Sequence, residues 1–229
     1  MKIRALDSAH ILALSMIYLI VFARCPLAGA GQVGDSRPNG AGPEARGIRV
    51  PKQAAPLATG KRWAVVVGVG YNEQDRAEWK DRGEVRRLPN AEKDAGGVAK
   101  ILREKYGYEE DAVFLLLGRQ ANRDAIEDLL REGLFCNGQK VGPDDSVLFY
   151  FAGHCFGPEM GAASADDRAY LLPIDAKVDD QGRPNTTFAI DIGGVAAKLR
   201  KESECRARHI LMILDCCHSG AVFQMQGVD

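Results

Sequence analysis

The sequence predicts an α/β fold built on a mostly parallel sheet, and three observations carry that reading. Four apolar runs stand along the chain: residues 63–69 (WAVVVGV), 112–117 (AVFLLL), 146–152 (SVLFYFA) and 209–214 (HILMIL). Each is close to continuously apolar where a half-exposed strand would alternate, the pattern of strands buried on both faces beneath covering helices. Stretches of helical periodicity separate the runs, and strand–helix alternation is the plan of an α/β domain. Composition agrees: 46% hydrophobic and 27% charged residues exclude a disordered or coiled-coil chain.

The first sixty residues precede that rhythm. Lys2 and Arg4 open a basic start, residues 11–23 (ILALSMIYLIVFA) are apolar apart from Ser15, and Ala28-Gly29-Ala30 offers small residues for cleavage. The apolar run is shorter than the roughly 20 residues a bilayer span needs. Residues 1–30 therefore read as an export signal to the periplasm or the exterior, with a membrane anchor through residues 11–23 as the rival. Cys25 follows Arg24, where a lipid-attachment site expects a small residue. Residues 31–60, rich in Gly, Pro, Ala and Arg, cannot bury enough surface to offset their ordering entropy and read as a flexible linker. The globular domain is expected over residues 61–229.

Within it, residues 90–106 read as a helix that places Val98, Ile101 and Leu102 on one face. Asn122 is the expected N-cap of a helix over 123–132, with Ile126, Leu129 and Leu130 as its apolar stripe. A third helix over 191–203 carries Ile192, Val195, Ala196 and Leu199. Right-handed crossovers then put the functional loops at the carboxyl ends of the strands.

Composition also narrows the partners. Lys and Arg total 30 against 31 Asp and Glu, a net charge of −1, so electrostatics makes no case for nucleic acid. Six cysteines in 229 residues do not form a disulfide-dense scaffold. The segments leaving the third and fourth strands are more informative: Gly153-His154-Cys155-Phe156-Gly157 in one case, Asp215-Cys216-Cys217-His218-Ser219-Gly220 in the other. A thiol needs a nearby base to be a nucleophile at neutral pH, and imidazole has the suitable pKa. Neighbouring strand ends can bring His154 and Cys217 together although 63 residues separate them.

These residues carry a resemblance. Phe149-Tyr150-Phe151-Ala152-Gly153-His154 resembles the strand-plus-GH motif of the caspase-like cysteine peptidases, and Asp215-Cys216-Cys217-His218-Ser219-Gly220 resembles the D-x-C-x-S-G motif of their metacaspase/orthocaspase branch. Residues 63–72 (WAVVVGVGYN), 88–95 (LPNAEKDA) and 171–175 (LLPID) are similar to the first strand and turn, the L-x-G-A-x-x-D-A segment and the L-L-P-x-D segment of the same family. The five motifs lie in order over about residues 62–222.

The resemblance implies a caspase-like three-layer sandwich, the p20 catalytic region, acting as a cysteine endopeptidase. It makes Cys217 the nucleophile and His154 its base, with backbone N–H groups of Cys155 and Cys217 receiving the oxyanion. It makes Asp94 and Asp215 the floor of the pocket for the substrate's P1 side chain. Two carboxylates there favour Arg or Lys, so protein or peptide substrates with basic P1 residues are the expected partners. No cofactor is required, and calcium is an activator in many members.

The sequence departs from the family pattern in three places. Cys155 stands where the family has Gly, which invites a distorted oxyanion site or oxidation near Cys217. Ala152 stands where a small polar residue is common. Only nine residues follow Gly220, where the family continues with further strands, so the expectation is a sheet completed by a second chain or a missing C-terminal segment. These departures favour the alternative of a catalytically weak or inactive caspase-fold module that binds partners. A thiol redox protein using Cys216 and Cys217 is a third.

Each site residue has a plainer reading beside the sharp one. Cys217 could be a buried strand-end thiol, and His154 a satisfied loop histidine. Asp215 could be a helix N-cap and Asp94 an exposed helix residue. His218 reads as a motif residue facing away, and Cys216 as core, a vicinal disulfide with Cys217 being geometrically strained. Cys136 and Cys205 read as structural or free. No pair among the His and Cys residues of the two loops has C-x-x-C spacing, so no metal site is expected. Gly68-Val69-Gly70 fails as a nucleotide loop because Glu73 falls where the third Gly belongs. Asp166, Asp167, Asp179 and Asp180 read as a solvated acidic loop that calcium could use.

Overall fold

The computed structural model describes residues 17–23, 60–130, 141–157, 168–180, 183–200 and 205–216. In chain order the strands are β1 (Ile17–Ala23), β2 (Arg62–Gly68), β3 (Val113–Leu117), β4 (Ser146–Ala152), β5 (Cys155–Phe156), β6 (Tyr170–Leu171), β7 (Ile190–Asp191) and β8 (His209–Asp215). The α-helices are α1 (Ala91–Tyr106), α2 (Arg123–Asp128) and α3 (Ile192–Arg200). All four apolar runs are strands of one five-stranded sheet, ordered β1-β8-β4-β2-β3. β2 is parallel to β3 and to β4, and β4 is parallel to β8. The small strands β5, β6 and β7 form a second, antiparallel sheet.

Alternate residues of the central strands serve two cores, because side chains on a strand point to opposite faces in turn. Ala64, Val66, Leu148 and Tyr150 pack with Ala91, Ala95, Ala99 and Leu102 of α1. Val65, Val67, Phe149 and Phe151 pack with Ile126 of α2 and with Ile192, Ala196 and Leu199 of α3. Helix, sheet and helices make the three layers that the apolar runs require. Burial on both faces holds for β2 and β4 at the centre, whereas β8 alternates between buried and half-buried residues. The reason lies in α1, which packs on β2, β3 and β4.

The face of α1 differs from its sequence reading. Leu102 is buried as expected, but Val98 is half-buried and Ile101 is 50% exposed. Alanines at 91, 95 and 99 replace them at the interface. Small side chains let the helix lie against β2, and Gly68 shows how closely: a Cβ built there would stand 2.7 Å from Ala95 Cβ and 2.8 Å from the Ala91 carbonyl oxygen. The Gly68-Val69-Gly70 segment is thus a helix-packing device. α2 ends at Asp128, short of the expected 132; Asn122 caps it as expected, its side chain accepting from the Ala125 N–H at 2.9 Å, and Ile126 and, beyond α2, Leu130 are buried.

β1 falls inside the apolar run read as an export signal. Its backbone pairs antiparallel with β8, from Ile17↔Asp215 to Ala23↔His209. Without it, the outer edge of β8 would present a row of unpaired N–H and C=O groups, which invites pairing with another strand. The linker up to residue 59 and residues 1–16 lie outside the described residues. Among the described residues no helix is long and apolar enough to cross a membrane.

The Gly68 contact yields a measurable expectation. Two of its three close atoms belong to the backbone of α1 and cannot swing aside. Gly68→Ala is expected to cost about 1–3 kcal/mol through overpacking, read as a lowered urea midpoint. An unchanged midpoint would show that α1 can lift from the sheet freely.

Candidate functional site

Parallel pairing of β4 with β8 runs in register to Ala152↔Asp215, and the Gly153 N–H donates to the Asp215 carbonyl at 3.3 Å. The two loops singled out by the sequence therefore leave neighbouring strands at the same level. His154, Cys216, Asp94 and Asp215 line one open cavity of ≈ 220 Å³, closed on its other side by Leu88, Pro89 and Asn90. Cys217, including its N–H, and His218 lie outside the described residues; the structure carries the chain to Cys216, one residue short.

His154 is held from three directions. Its backbone N–H donates to the Tyr71 hydroxyl at 3.0 Å, and that hydroxyl donates onward to the Leu172 carbonyl. The rings of Tyr71 and His154 lie 4.9 Å apart, tilted by 41°. Tyr71 reaches this place with a positive φ of 54°, a left-handed conformation uncommon for a bulky residue. Burial raises its pKa, so the phenol stays protonated and can donate and accept at once. The third contact is His154 Nε2 to the Arg86 carbonyl oxygen at 2.7 Å. A carbonyl only accepts, so Nε2 carries the proton and Nδ1 is the basic nitrogen of the neutral ring. Burial pushes the His154 pKa down; the bond to the Arg86 carbonyl opposes this, and the nearby Arg86 guanidinium adds to it.

The acidic half of the cavity comes from two elements. Asp94 stands in the first turn of α1, and Asp215 ends β8. The Tyr150 hydroxyl donates to Asp215 Oδ2 at 3.3 Å. Burial raises the Tyr150 pKa, and the carboxylates of Asp215 and Asp94 raise it further, so its proton is kept for that bond. Both carboxylates thus face the cavity that His154 lines. Asp94 is also exposed, as its plainer reading requires.

The cysteines differ from the sequence reading. Cys155 is expected there as a glycine replacement prone to oxidise near Cys217, and Cys216 as a core thiol. The structure joins Cys155 to Cys216 in a disulfide, with Cα atoms 5.6 Å apart and a sequence separation of 61. Cys216 is buried, but as a bonded cysteine. The register of β4 and β8 brings the two Cα atoms within bridging distance, a juxtaposition that chain spacing hides. Closing a loop of that length restricts the unfolded chain by roughly 4 kcal/mol. Cys205 is buried and stands outside that disulfide, and Cys136 lies outside the described residues.

Three contributors escape sequence reading. The Arg86 carbonyl carries no side-chain signature. Tyr71 and Tyr150 sit inside quoted motifs, but their hydroxyl contacts depend on neighbours 83 and 65 residues away. A larger cavity, ≈ 1140 Å³, lies beside the 83–87 segment, where Arg76, Lys80, Arg86 and Arg87 are balanced by Glu73, Glu84, Asp179 and Asp180; among the described residues neither His nor Cys lines it. Asp179 accepts from Arg183 Nε at 2.7 Å, while Asp166 and Asp167 lie outside the described residues. Among the described residues no group of three or more His, Cys, Asp or Glu side chains could hold a metal ion.

Comparison with known proteins converges on the same region. A family profile described as Metacaspase, peptidase C14 domain matches residues 62–226. A Metacaspase-1 of Cryptococcus neoformans is 24% identical over 182 residues, covering 73% of this chain and 34% of that protein. A Metacaspase-1 of Botryotinia fuckeliana is 26% identical over 188 residues, covering 74% and 38%. A Metacaspase III c of Phaeodactylum tricornutum is 20% identical over 177 residues, covering 74% and 46%. The chain thus spans less than half the length of these relatives. A solved structure from Geobacter sulfurreducens is similar with a TM-score of 0.47 and 20% identity, covering 72% of this chain and 53% of that one.

The depressed His154 pKa has a consequence for stability. Below the ordinary histidine value of about 6.5 the unfolded chain takes up a proton that folded His154 resists. The contribution is complete above that value and is lost as pH falls through the lower, folded-state value. Between about pH 7.5 and pH 5.5 the urea midpoint of the parent is expected to fall more than that of His154→Gln. Equal slopes would remove the linkage.

Proposed function

Because the chain belongs to the metacaspase, peptidase C14 domain family, a family of cysteine peptidases, we propose that it is an endopeptidase with Cys217 as nucleophile and His154 as base, cleaving after Arg or Lys. The observation that carries this reading is the shared cavity: the base and two carboxylates line one concavity at the strand end from which the chain runs into Cys217.

The chemistry follows from the groups present. His154 Nδ1 takes the Cys217 thiol proton, and the thiolate attacks the scissile carbonyl carbon. Negative charge develops on the carbonyl oxygen, towards which the Cys155 and Cys217 N–H groups would point. The tetrahedral adduct collapses, the C–N bond breaks, and the leaving amine takes the proton from His154. Water, deprotonated by the same nitrogen, then releases the acyl group. The Arg86 carbonyl keeps the proton on Nε2 throughout, so Nδ1 is the nitrogen that cycles. A lowered imidazole pKa keeps the base unprotonated on the acidic side of neutrality.

The P1 preference rests on charge. Asp94 and Asp215 in one partly enclosed cavity attract a cationic side chain and repel an acidic one. Tyr150 holds Asp215 in place while staying neutral. Export remains part of the proposal, supported by the Cys155–Cys216 disulfide, a bond that persists in oxidising compartments. Removal of residues 1–30 as an export signal would take β1 with it and open the outer edge of β8 to a second chain or a further C-terminal segment. Cys155 in place of Gly favours the second reading, a weak or inactive module that binds partners, because a side chain narrows the backbone freedom of the oxyanion loop.

Fluorogenic peptides with Arg, Lys or Asp at P1, assayed with and without calcium, separate these readings. Turnover of the Arg and Lys substrates, lost in Cys217→Ala and His154→Ala, is the expected result. Asp215→Asn is expected to lower kcat/KM for the Arg substrate by about 10–100-fold, chiefly through KM. Preference for Asp at P1, or turnover that survives both dyad variants, would overturn the assignment. Absence of turnover with Arg and Lys under every condition would favour the binding module.

A further inference from the structure

We propose that Cys155 and Cys216 are positioning residues whose disulfide holds the base and the nucleophile in register, so that the enzyme works in its oxidised form. The proposal rests on Cys217 being the nucleophile and goes beyond it by assigning a role to the two neighbouring cysteines.

The argument starts from connectivity. The bond joins the residue after His154 to the residue before Cys217, giving the two candidate reactive groups a short covalent link. Beyond the ladder, the Gly153 N–H to Asp215 carbonyl bond is long, 3.3 Å. His154 is already fixed on its other sides by the Tyr71 hydroxyl and the Arg86 carbonyl. Cys155 is fixed as well, since β5 pairs Cys155 with Leu171 of β6. A tether from Cys155 to Cys216 therefore ties the residue before Cys217 to the rigid part of the site. Misplacement by about 1 Å costs on the order of 100-fold in rate, and a link this near the reacting atoms governs displacements of that size.

The bond also determines which thiols remain. With both sulfurs paired, Cys155 and Cys216 can no longer form a disulfide with Cys217, the residue that follows Cys216 in the chain. In an oxidising compartment the two cysteines next to the dyad are thereby withdrawn from competition for the nucleophile. The balance is ordinary thiol–disulfide exchange. Cys155 and Cys216 lose two protons and two electrons to a protein or small-molecule disulfide, which becomes two thiols. A dithiol reductant reverses it: one thiolate attacks a sulfur of the bond, the mixed disulfide is resolved by the second thiol, and both cysteines leave as thiols.

The test uses the full chain, prepared without reductant. Non-reducing peptide mapping is expected to find Cys155 linked to Cys216, with Cys217 open to iodoacetamide. Treatment with dithiothreitol is expected to lower turnover of the Arg substrate by about 10–100-fold, through kcat more than KM. Cys155→Ser keeps the backbone N–H; it, Cys216→Ser and the double variant are expected to show the lower rate and no response to reductant. A second measurement needs no turnover: the alkylation rate of Cys217 near pH 6, where only a thiol paired with imidazole is ionised, is expected to fall on reduction in the parent and to be low already in His154→Ala. Turnover that survives Cys217→Ala would sink the peptidase assignment, and the alkylation rates would still decide the role of the disulfide. Reduction that leaves the alkylation rate of the parent unchanged, or raises it, would overturn the proposal. So would a map that finds Cys217 in a disulfide.

Discussion

Parallel pairing of β4 and β8 is the constraint that governs the site. In register as far as Ala152↔Asp215, it delivers two loops from distant parts of the chain to one level of the sheet edge. Everything placed there derives from that alignment: His154 one step past the turn, Asp215 at the last rung, Cys216 beyond it. Because side chains alternate along a strand, a slip of one residue would turn Asp215 away from Tyr150 and disengage Cys216 from Cys155. The register is itself secured by burial. Phe149, Phe151, Met212 and Leu214 share one core, and moving them to the opposite face would destroy it.

Packing around this edge shows how a small set of polar groups is held in place. A half-buried imidazole and two carboxylates line one small cavity, and two tyrosine hydroxyls brace His154 and Asp215 from behind it. Two of these groups have defined partners: Nε2 meets a carbonyl that cannot donate, and Asp215 meets a phenol whose burial keeps it protonated. Tyr71 adopts a left-handed backbone conformation to reach beneath His154. Local strain of this kind is retained where surrounding contacts over-determine it, and here the contacts are the Leu172 carbonyl and the β2 end of the core.

Legibility in the sequence tracks the physics of each feature. Continuous apolar runs mark the strands because apolar content is a property of the residues themselves, and all four runs are strands of the main sheet, although only the central β2 and β4 are buried on both faces. The side of α1 that meets the sheet is harder to read. Hydrophobic size points to Val98 and Ile101, whereas close approach of helix to sheet rewards Ala91, Ala95 and Ala99. The acidic pocket is legible as two carboxylates in separate motifs, but the phenol that holds one of them is not. Its contact lies 65 residues away, and no local pattern encodes such a distance.

Strand positions, the helix cap at Asn122, and the residue types from which a thiol–imidazole site can be assembled are all written in the linear chain, since burial and capping act over a few neighbouring residues. The disulfide partner of Cys155, the carbonyl that selects the histidine tautomer, and the strand that covers the outer edge of β8 emerge only on folding. Each of those depends on which segments become adjacent after the sheet is ordered, and that adjacency is set by packing of the whole core.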